Sequence, residues 1–258
     1  MSTTLTLRAF EYWRYQYRRT WRGTFVTSLL NPVLYLAAMG IGLGTVVQRS
    51  KSGSLGTSSY LEFLAPALVA TTAFQTAIFE SMYPVMAAIK WIKTYVAMLA
   101  SPLGPTDVLH GHLLWIAARV LQTSSIFLGI GALFGAFGSL TALMCVPFAL
   151  LLGVAVAAPM IAFAAHTEQE SNFAAIQRFG VIPMFLFSGT FYPVSQLPRP
   201  LEAVAWATPL FHGVELCRDA ALDRLALLPT LGHVAYLTVW VVGGLWLAQG
   251  VYRRRLAP

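Results

Sequence analysis

Between residues 120 and 167 the chain carries no Asp, Glu, Lys or Arg, a run of 48 residues. A helix crosses the hydrocarbon core of a bilayer in about 20 apolar residues, so this run is too long for one span. Gly135, Gly138 and Ser139 place a turn inside it and divide it into two. Further uncharged runs cover residues 23–48, 63–79, 179–198 and 225–252. Across the chain 57% of residues are hydrophobic and 10% are charged, with a mean hydropathy of +0.66. Soluble domains carry roughly 25% charged residues. Disorder, a disulfide scaffold and a secreted soluble enzyme are thereby excluded, and the chain reads as an all-α integral membrane protein.

The uncharged runs accommodate six transmembrane helices, near residues 26–46, 61–84, 112–134, 140–165, 173–191 and 228–251. Lys and Arg sort between the two sides. Eleven (Arg8, Arg14, Arg18, Arg19, Arg22, Lys90, Lys93, Arg178, Arg253, Arg254 and Arg255) fall on one side, and five (Arg49, Lys51, Arg199, Arg218 and Arg224) on the other. The richer side is cytoplasmic by the positive-inside rule, which places both termini in the cytoplasm. The net charge of +7 is an orientation and lipid-headgroup signal, and nucleic acid is not needed to explain it. Residues 1–22 lack the pattern of a secretory signal. Phe10, Trp13, Tyr17 and Trp21 recur at helical spacing beside the Arg14, Arg18 and Arg22 row. That pattern suits an amphipathic helix over 5–22 lying in the headgroup plane, or an aromatic flank to the first span.

Catalytic and metal signatures are missing. His110 and His112 are two apart, whereas zinc helices space their ligands three or four apart, and no phosphate-binding loop with its Lys-Ser/Thr occurs. Gly40 with Gly44, and Gly131 with Gly135, read as close helix packing. Cys145 and Cys217 allow at most one bridge and mark no redox compartment. The ionisable residues in or at the edges of spans are Glu62, Glu80 and Arg119, too few for ion-coupled transport. Arg119, two turns into the third span, either snorkels to the headgroups or faces a polar path and attracts an anionic group. Glu80 reads as headgroup-level.

The connections carry more information. In 84–110, Ile89, Ile92, Val96 and Leu99 form a stripe at 3-4-3 spacing beside Lys90 and Lys93, which predicts one short amphipathic helix over 86–99. Ser101 to Pro105 ends it. It is either a membrane-surface helix or a docking lever for a cytoplasmic partner. Glu168 and Glu170 lie on the next connection of that side, as a solvated turn or a second contact. On the opposite side, 191–227 predicts one helix over 200–207 and another opening at Thr208-Pro209 and running to Leu222. On the latter Leu210, Val214, Cys217 and Ala221 share a face, with Glu215, Arg218 and Asp219 away from it. Two short helices re-entering the outer leaflet satisfy this pattern.

Taken together, the segments NPVLYL (31–36), FLAPAL (63–68), FESMYP (79–84), WIKTYVAMLASP (91–102) and FSGTFYP (187–193) leading to PLFHGV (209–214) make the chain resemble the permease subunits of ABC-2 type exporters. The likeness is to the nodulation-factor (lipo-oligosaccharide) and multidrug export branch and runs over residues 1–258 as a single transmembrane domain. It implies a half-transporter in which two permeases, identical or related, pair with two cytoplasmic ATP-binding subunits. Cofactors would be none in this chain, with ATP and Mg on the partner. By the same resemblance 86–99 is the coupling helix, carrying Ile89, Lys90, Ile92, Lys93, Val96 and Leu99. Residues 200–222 close the outer end, with Phe191, Tyr192, Pro193, Phe211, His212 and Glu215 in the gate region. Glu80 and Arg119 would touch the substrate path or the headgroups of membrane lipids. The cargo would be amphipathic: a lipid-linked saccharide, a glycolipid or a drug. The residues themselves leave two other readings open. A membrane-embedded lipid-modifying enzyme would draw on Glu215, Asp219 and Asp223, and a non-transporting membrane anchor would need no ATPase.

Overall fold

The structure, a computed structural model, describes residues 3–43 and 59–256. Among them, helices account for every regular element. Helix α1 is Thr3–Tyr35, continued by a π-helical stretch Leu36–Leu43. α2 is Tyr60–Met86 with a π turn Ala87–Trp91, α3 is Thr94–Leu99 and α4 Pro105–Leu133. A 3-10 turn, Leu140–Met144, opens α5, Cys145–His166. α6 is Ser171–Ile176 and α7 Ile182–Phe187, joined by the π stretch Gln177–Val181. α8 is Arg199–Trp206, α9 Pro209–Ala221 and α10 Leu227–Arg255.

Four of these runs are long and apolar enough to cross a membrane: Tyr60–Trp91, Pro105–Leu133, Leu140–His166 and Leu227–Arg255. They make the chain a multi-pass membrane protein. The expected first span, 26–46, passes into residues outside those described, as do Gly44, Arg49 and Lys51. The expected fifth, 173–191, consists of the short segments α6, the π stretch and α7. Nor do residues 5–22 form a separate helix. They are the opening part of α1, because Gly23 alone weakens a helix by only about 1 kcal/mol and does not end it.

α5 is the hub, with α2, α4, α9 and α10 packed around it. Its buried face is largely alanine: Ala149, Ala155, Ala157, Ala158, Ala162 and Ala165. Small side chains let neighbouring backbones approach where no hydrophobic effect drives helices together in lipid. At Gly244 of α10 an added Cβ would stand 2.7 Å from the Pro159 backbone nitrogen, so α10 lies backbone to backbone on α5. At Gly111 a Cβ would meet the Ala9 Cβ at 2.5 Å, so α1 lies directly on α4.

The bundle has two distinct ends. Thr6 donates to Asp107, Tyr12 meets Thr94 at 3.3 Å, and Lys90 Nζ donates to the Glu168 carbonyl. Arg255 donates to the carbonyls of Ala165 and His166 and pairs with Glu168 at 3.3 Å. The start of α1, the 87–104 connection, the 167–170 connection and the end of α10 therefore gather at one basic end. The start of α2, with α8 and α9, occupies the far end, where Tyr60 donates to the Phe191 carbonyl at 3.2 Å.

Candidate functional site

α2 and α4 form an antiparallel hairpin, and residues equidistant from its turn meet across it. Thr76 faces Thr123 at 3.3 Å, and one turn nearer the basic end Arg119 Nε donates to Glu80 Oε1 at 3.0 Å. The second Glu80 oxygen accepts from Trp115 Nε1 at 3.3 Å. Arg119 Nη1 donates to Gln122 Oε1 at 2.7 Å and to the Tyr17 hydroxyl at 3.2 Å, with the guanidinium 4.8 Å from the Tyr17 ring centroid. Three helices thus meet in one polar cluster. The Arg119 side chain is 7% exposed and that of Glu80 22%, so the cation is tucked behind and the carboxylate is its more open half. Snorkelling does not describe Arg119, because a carboxylate on the neighbouring helix satisfies it within the bundle.

Two cavities meet at this pair. One, of about 360 Å³, lies between α1 and the 84–94 region and is walled by Tyr12, Tyr17, Tyr83, Trp91 and Trp115. The other, of about 230 Å³, continues towards the far end and is walled by Ser28, Asn31, Thr72, Gln75 and Thr76. Thr24, Glu80 and Arg119 line both. Polar side chains on lipid-facing helix surfaces are expensive, and this concentration of them marks a face that meets protein, water or solute. Aromatic rings followed by hydroxyls and amides can take up an amphipathic molecule.

The 86–99 segment is not the single helix its stripe predicts. The π turn ends at Trp91, Lys93 takes a left-handed backbone at φ 57°, and α3 starts at Thr94. The break turns Tyr95 inward, where it is fully buried, and leaves Ile92 and Val96 64% and 54% exposed. Burying one tyrosine outweighs keeping a four-residue stripe on one face. Ile89 and Leu99 are half-buried. Lys90 is spent on the Glu168 carbonyl, which brings the two connections of this end together.

At the far end α9 begins where Thr208 Oγ1 accepts from the Phe211 amide, a side-chain N-cap. Phe211 packs on Val194 and Ala205 and stacks on Trp206. His212 Nε2 faces the Trp206 carbonyl at 2.9 Å and its Nδ1 faces His233 Nδ1 at 2.7 Å. Burial pulls the His212 pKa down to about 4. Glu215 pairs with Arg218 at 2.6 Å. Arg218, expected away from the apolar face, is 7% exposed. It lies 3.9 Å from the Phe63 ring centroid and donates to the Gly189 carbonyl at 2.6 Å. Those contacts, with Gly189 at φ +81° presenting its carbonyl, hold the cation inside. Burial and the Glu215 carboxylate raise the Asp219 pKa to about 6, against the opposing pull of Arg218 and Arg224.

Phe191 packs its ring against Phe185 and accepts from Tyr60. Tyr192 and Pro193 are half-buried on the same connection. No cluster of three or more His, Cys, Asp or Glu that could hold a metal occurs among the described residues.

Residues 5–222 match the family model described as ABC-2 type transporter. The chain is 31% identical over 251 residues to Nodulation protein J of Rhizobium leguminosarum bv. trifolii, which covers 95% of this chain and 92% of that protein. It is equally similar, 31% over 251 residues with the same coverage, to Nodulation protein J of Sinorhizobium fredii. A more distant match is the probable doxorubicin resistance ABC transporter permease protein of Mycobacterium tuberculosis. That one is 24% identical over 238 residues, covering 90% of this chain and 82% of the other.

Proposed function

The chain belongs to the ABC-2 type transporter family, and from that premise we propose that it is the permease subunit of an ATP-driven exporter. Two permeases and two cytoplasmic ATP-binding subunits make the working complex. The basic end faces the cytoplasm with both termini, six helices cross the bacterial inner membrane, and the Arg-rich opening of α1 sits among the headgroups. An amphipathic cargo enters between α1 and α2 and moves towards the far end, where α8 and α9 close the path. ATP and Mg act on the partner chain.

The observation that carries this reading is the pair of cavities joined at Glu80 and Arg119. They begin beside Trp91 and Ile92, in the segment that docks the ATP-binding subunit, and end among side chains polar enough to accompany a headgroup. Ile92 and Val96, both exposed at that end, supply the docking contact, with Glu168 and Glu170 beside them.

Purification from detergent tests the assembly: an ATP-binding chain should accompany each permease. Replacing Ile92 and Val96 together by Asp should detach that chain or abolish its stimulated hydrolysis. If assembly and hydrolysis are unchanged, the docking assignment is wrong.

A further inference from the structure

We infer that Tyr95 is the positioning residue through which movement of the docking segment reaches the helix bundle. The inference rests on the coupling role proposed above for 86–99. The side chains that segment offers outward, Trp91, Ile92 and Val96, are more than half exposed, and an exposed side chain can receive a push without passing it on. Within α3 only Thr94 and Tyr95 are buried. The side-chain hydrogen bond of Thr94 goes to α1, at the Tyr12 hydroxyl.

Tyr95 reaches three long helices. Its hydroxyl bonds His112 Nδ1 on α4 and lies 3.3 Å from the Tyr252 hydroxyl of α10, while Trp13 of α1 meets its ring edge-on. The polarity of the chain follows from its members. Tyr252 donates to the Tyr95 oxygen, and Tyr95 spends its own proton on His112 Nδ1. His112 then carries its proton on Nε2, which is buried on the side of the Glu80 backbone carbonyl. Its ring is clamped by Trp13, whose plane stacks on it at 4.1 Å between centroids. Tyr95, His112 and Tyr252 are fully buried, so no water competes for these bonds. A packed group of this kind has few arrangements and shifts as a unit. Displacing α3 therefore drags α4 and α10 with it or breaks a bond that nothing replaces. Lys93 makes this geometry possible, since its left-handed backbone sends the next residues back into the bundle.

Hydrogen–deuterium exchange on the assembled complex in nanodiscs, nucleotide-free and trapped with ATP and vanadate, tests this. In the unmodified complex, trapping should change exchange rates at least twofold over residues 87–99 and over 105–115. In Tyr95→Phe the change should persist over 87–99 and vanish over 105–115, with the ATP-binding subunit still bound. Thr94→Val should leave both changes in place. An undiminished change over 105–115 in Tyr95→Phe overturns the inference while leaving the coupling reading intact. A change missing over 87–99 in the unmodified complex removes the coupling reading and this inference with it. Should Tyr95→Phe fail to assemble, Tyr252→Phe takes its place, because it withdraws only the bond to α10. The trapped-state change must then vanish over 244–255 and persist over 105–115, and persistence over both overturns the inference.

Discussion

Glu80 and Arg119 stand 3.0 Å apart, Oε1 to Nε, on neighbouring antiparallel helices, and the guanidinium also donates to Tyr17 and Gln122. Each charge is tolerable in the bundle because the other is there. Breaking a buried pair costs about 3–5 kcal/mol, mostly because the surviving charge is stranded. The partial opening of Glu80 puts this pair at the lower end. Arg119→Met should therefore destabilise the protein by about 3 kcal/mol, and Glu80→Met with Arg119→Met by clearly less than Arg119→Met alone. Thermal unfolding of the three variants in detergent checks the order, and a double variant worse than the single one would refute it.

The far end should respond to pH through two groups acting in opposite senses. Asp219 has a folded pKa of about 6, above its ordinary 3.8, so its burden on the fold is present above pH 6 and disappears as pH falls towards 4. His212 has a folded pKa of about 4, below its ordinary 6.5. Its contribution is complete above pH 6.5 and is lost as pH falls through that window. The two slopes oppose each other between pH 4 and 6. Asp219→Asn should expose the acid loss caused by His212, whereas His212→Phe should expose the acid gain caused by Asp219. Melting temperatures of both variants at pH 8, 6 and 4.5 show whether the slopes separate.

Lys93 has a left-handed backbone at φ 57°. Such a conformation costs a residue with a Cβ roughly 1–2 kcal/mol, and more when the side chain is branched at Cβ. Lys93→Gly should change stability by less than about 1 kcal/mol, as relief of strain offsets the larger unfolded-state entropy of glycine. Lys93→Val should destabilise by about 2 kcal/mol. Equal stabilities for the two would mean that α2 and α3 join in some other way.

Gly244→Ala should cost about 1–3 kcal/mol, the range for overfilling a packed contact, because its Cβ would press on the Pro159 backbone nitrogen at 2.7 Å. Gly129→Ala makes the control. No atom lies within 4 Å of its Cβ position, and alanine is the better helix former by about 1 kcal/mol. Unfolding measurements that fail to separate the two would argue against the α5–α10 approach.

The helices were legible in the charge-free 120–167 run and where a cap was spelled out, as at Thr208-Pro209. The equally uncharged 179–198 run, however, holds only the end of the π stretch and the short α7 before the chain turns. Glu80 and Arg119 could each be singled out as charges near spans. Their partnership could not be read from either residue, because it depends on the register of the α2–α4 hairpin, in which Thr76 faces Thr123 and Glu80 faces Arg119. The Lys93 break was illegible because Ile89, Ile92, Val96 and Leu99 satisfy an uninterrupted helix. Only the three-dimensional partners of Tyr95 tip the balance. Arg218 was misplaced for a similar reason. Helical spacing puts a cation away from the apolar face unless one knows that Phe63 and a glycine carbonyl are waiting on the other side.

The unbroken run from Thr3 to Tyr35 has a mechanical meaning. At 1.5 Å per residue it is about 50 Å long, well beyond the roughly 30 Å of hydrocarbon. It is a rod with surplus length, fastened near one tip by Thr6 and Tyr12 and forming a wall of both cavities further along. A hinge at residue 23 would let the tip swing while the wall stayed still. Without one, a small tilt at the tip becomes a change in the width of the cleft. The first interruption of its regular hydrogen bonding is at Pro32, which has no N–H to give, with the π stretch behind it. That lies beyond the Glu80–Arg119 pair, so an arm tilting from there would include the charged crossing itself.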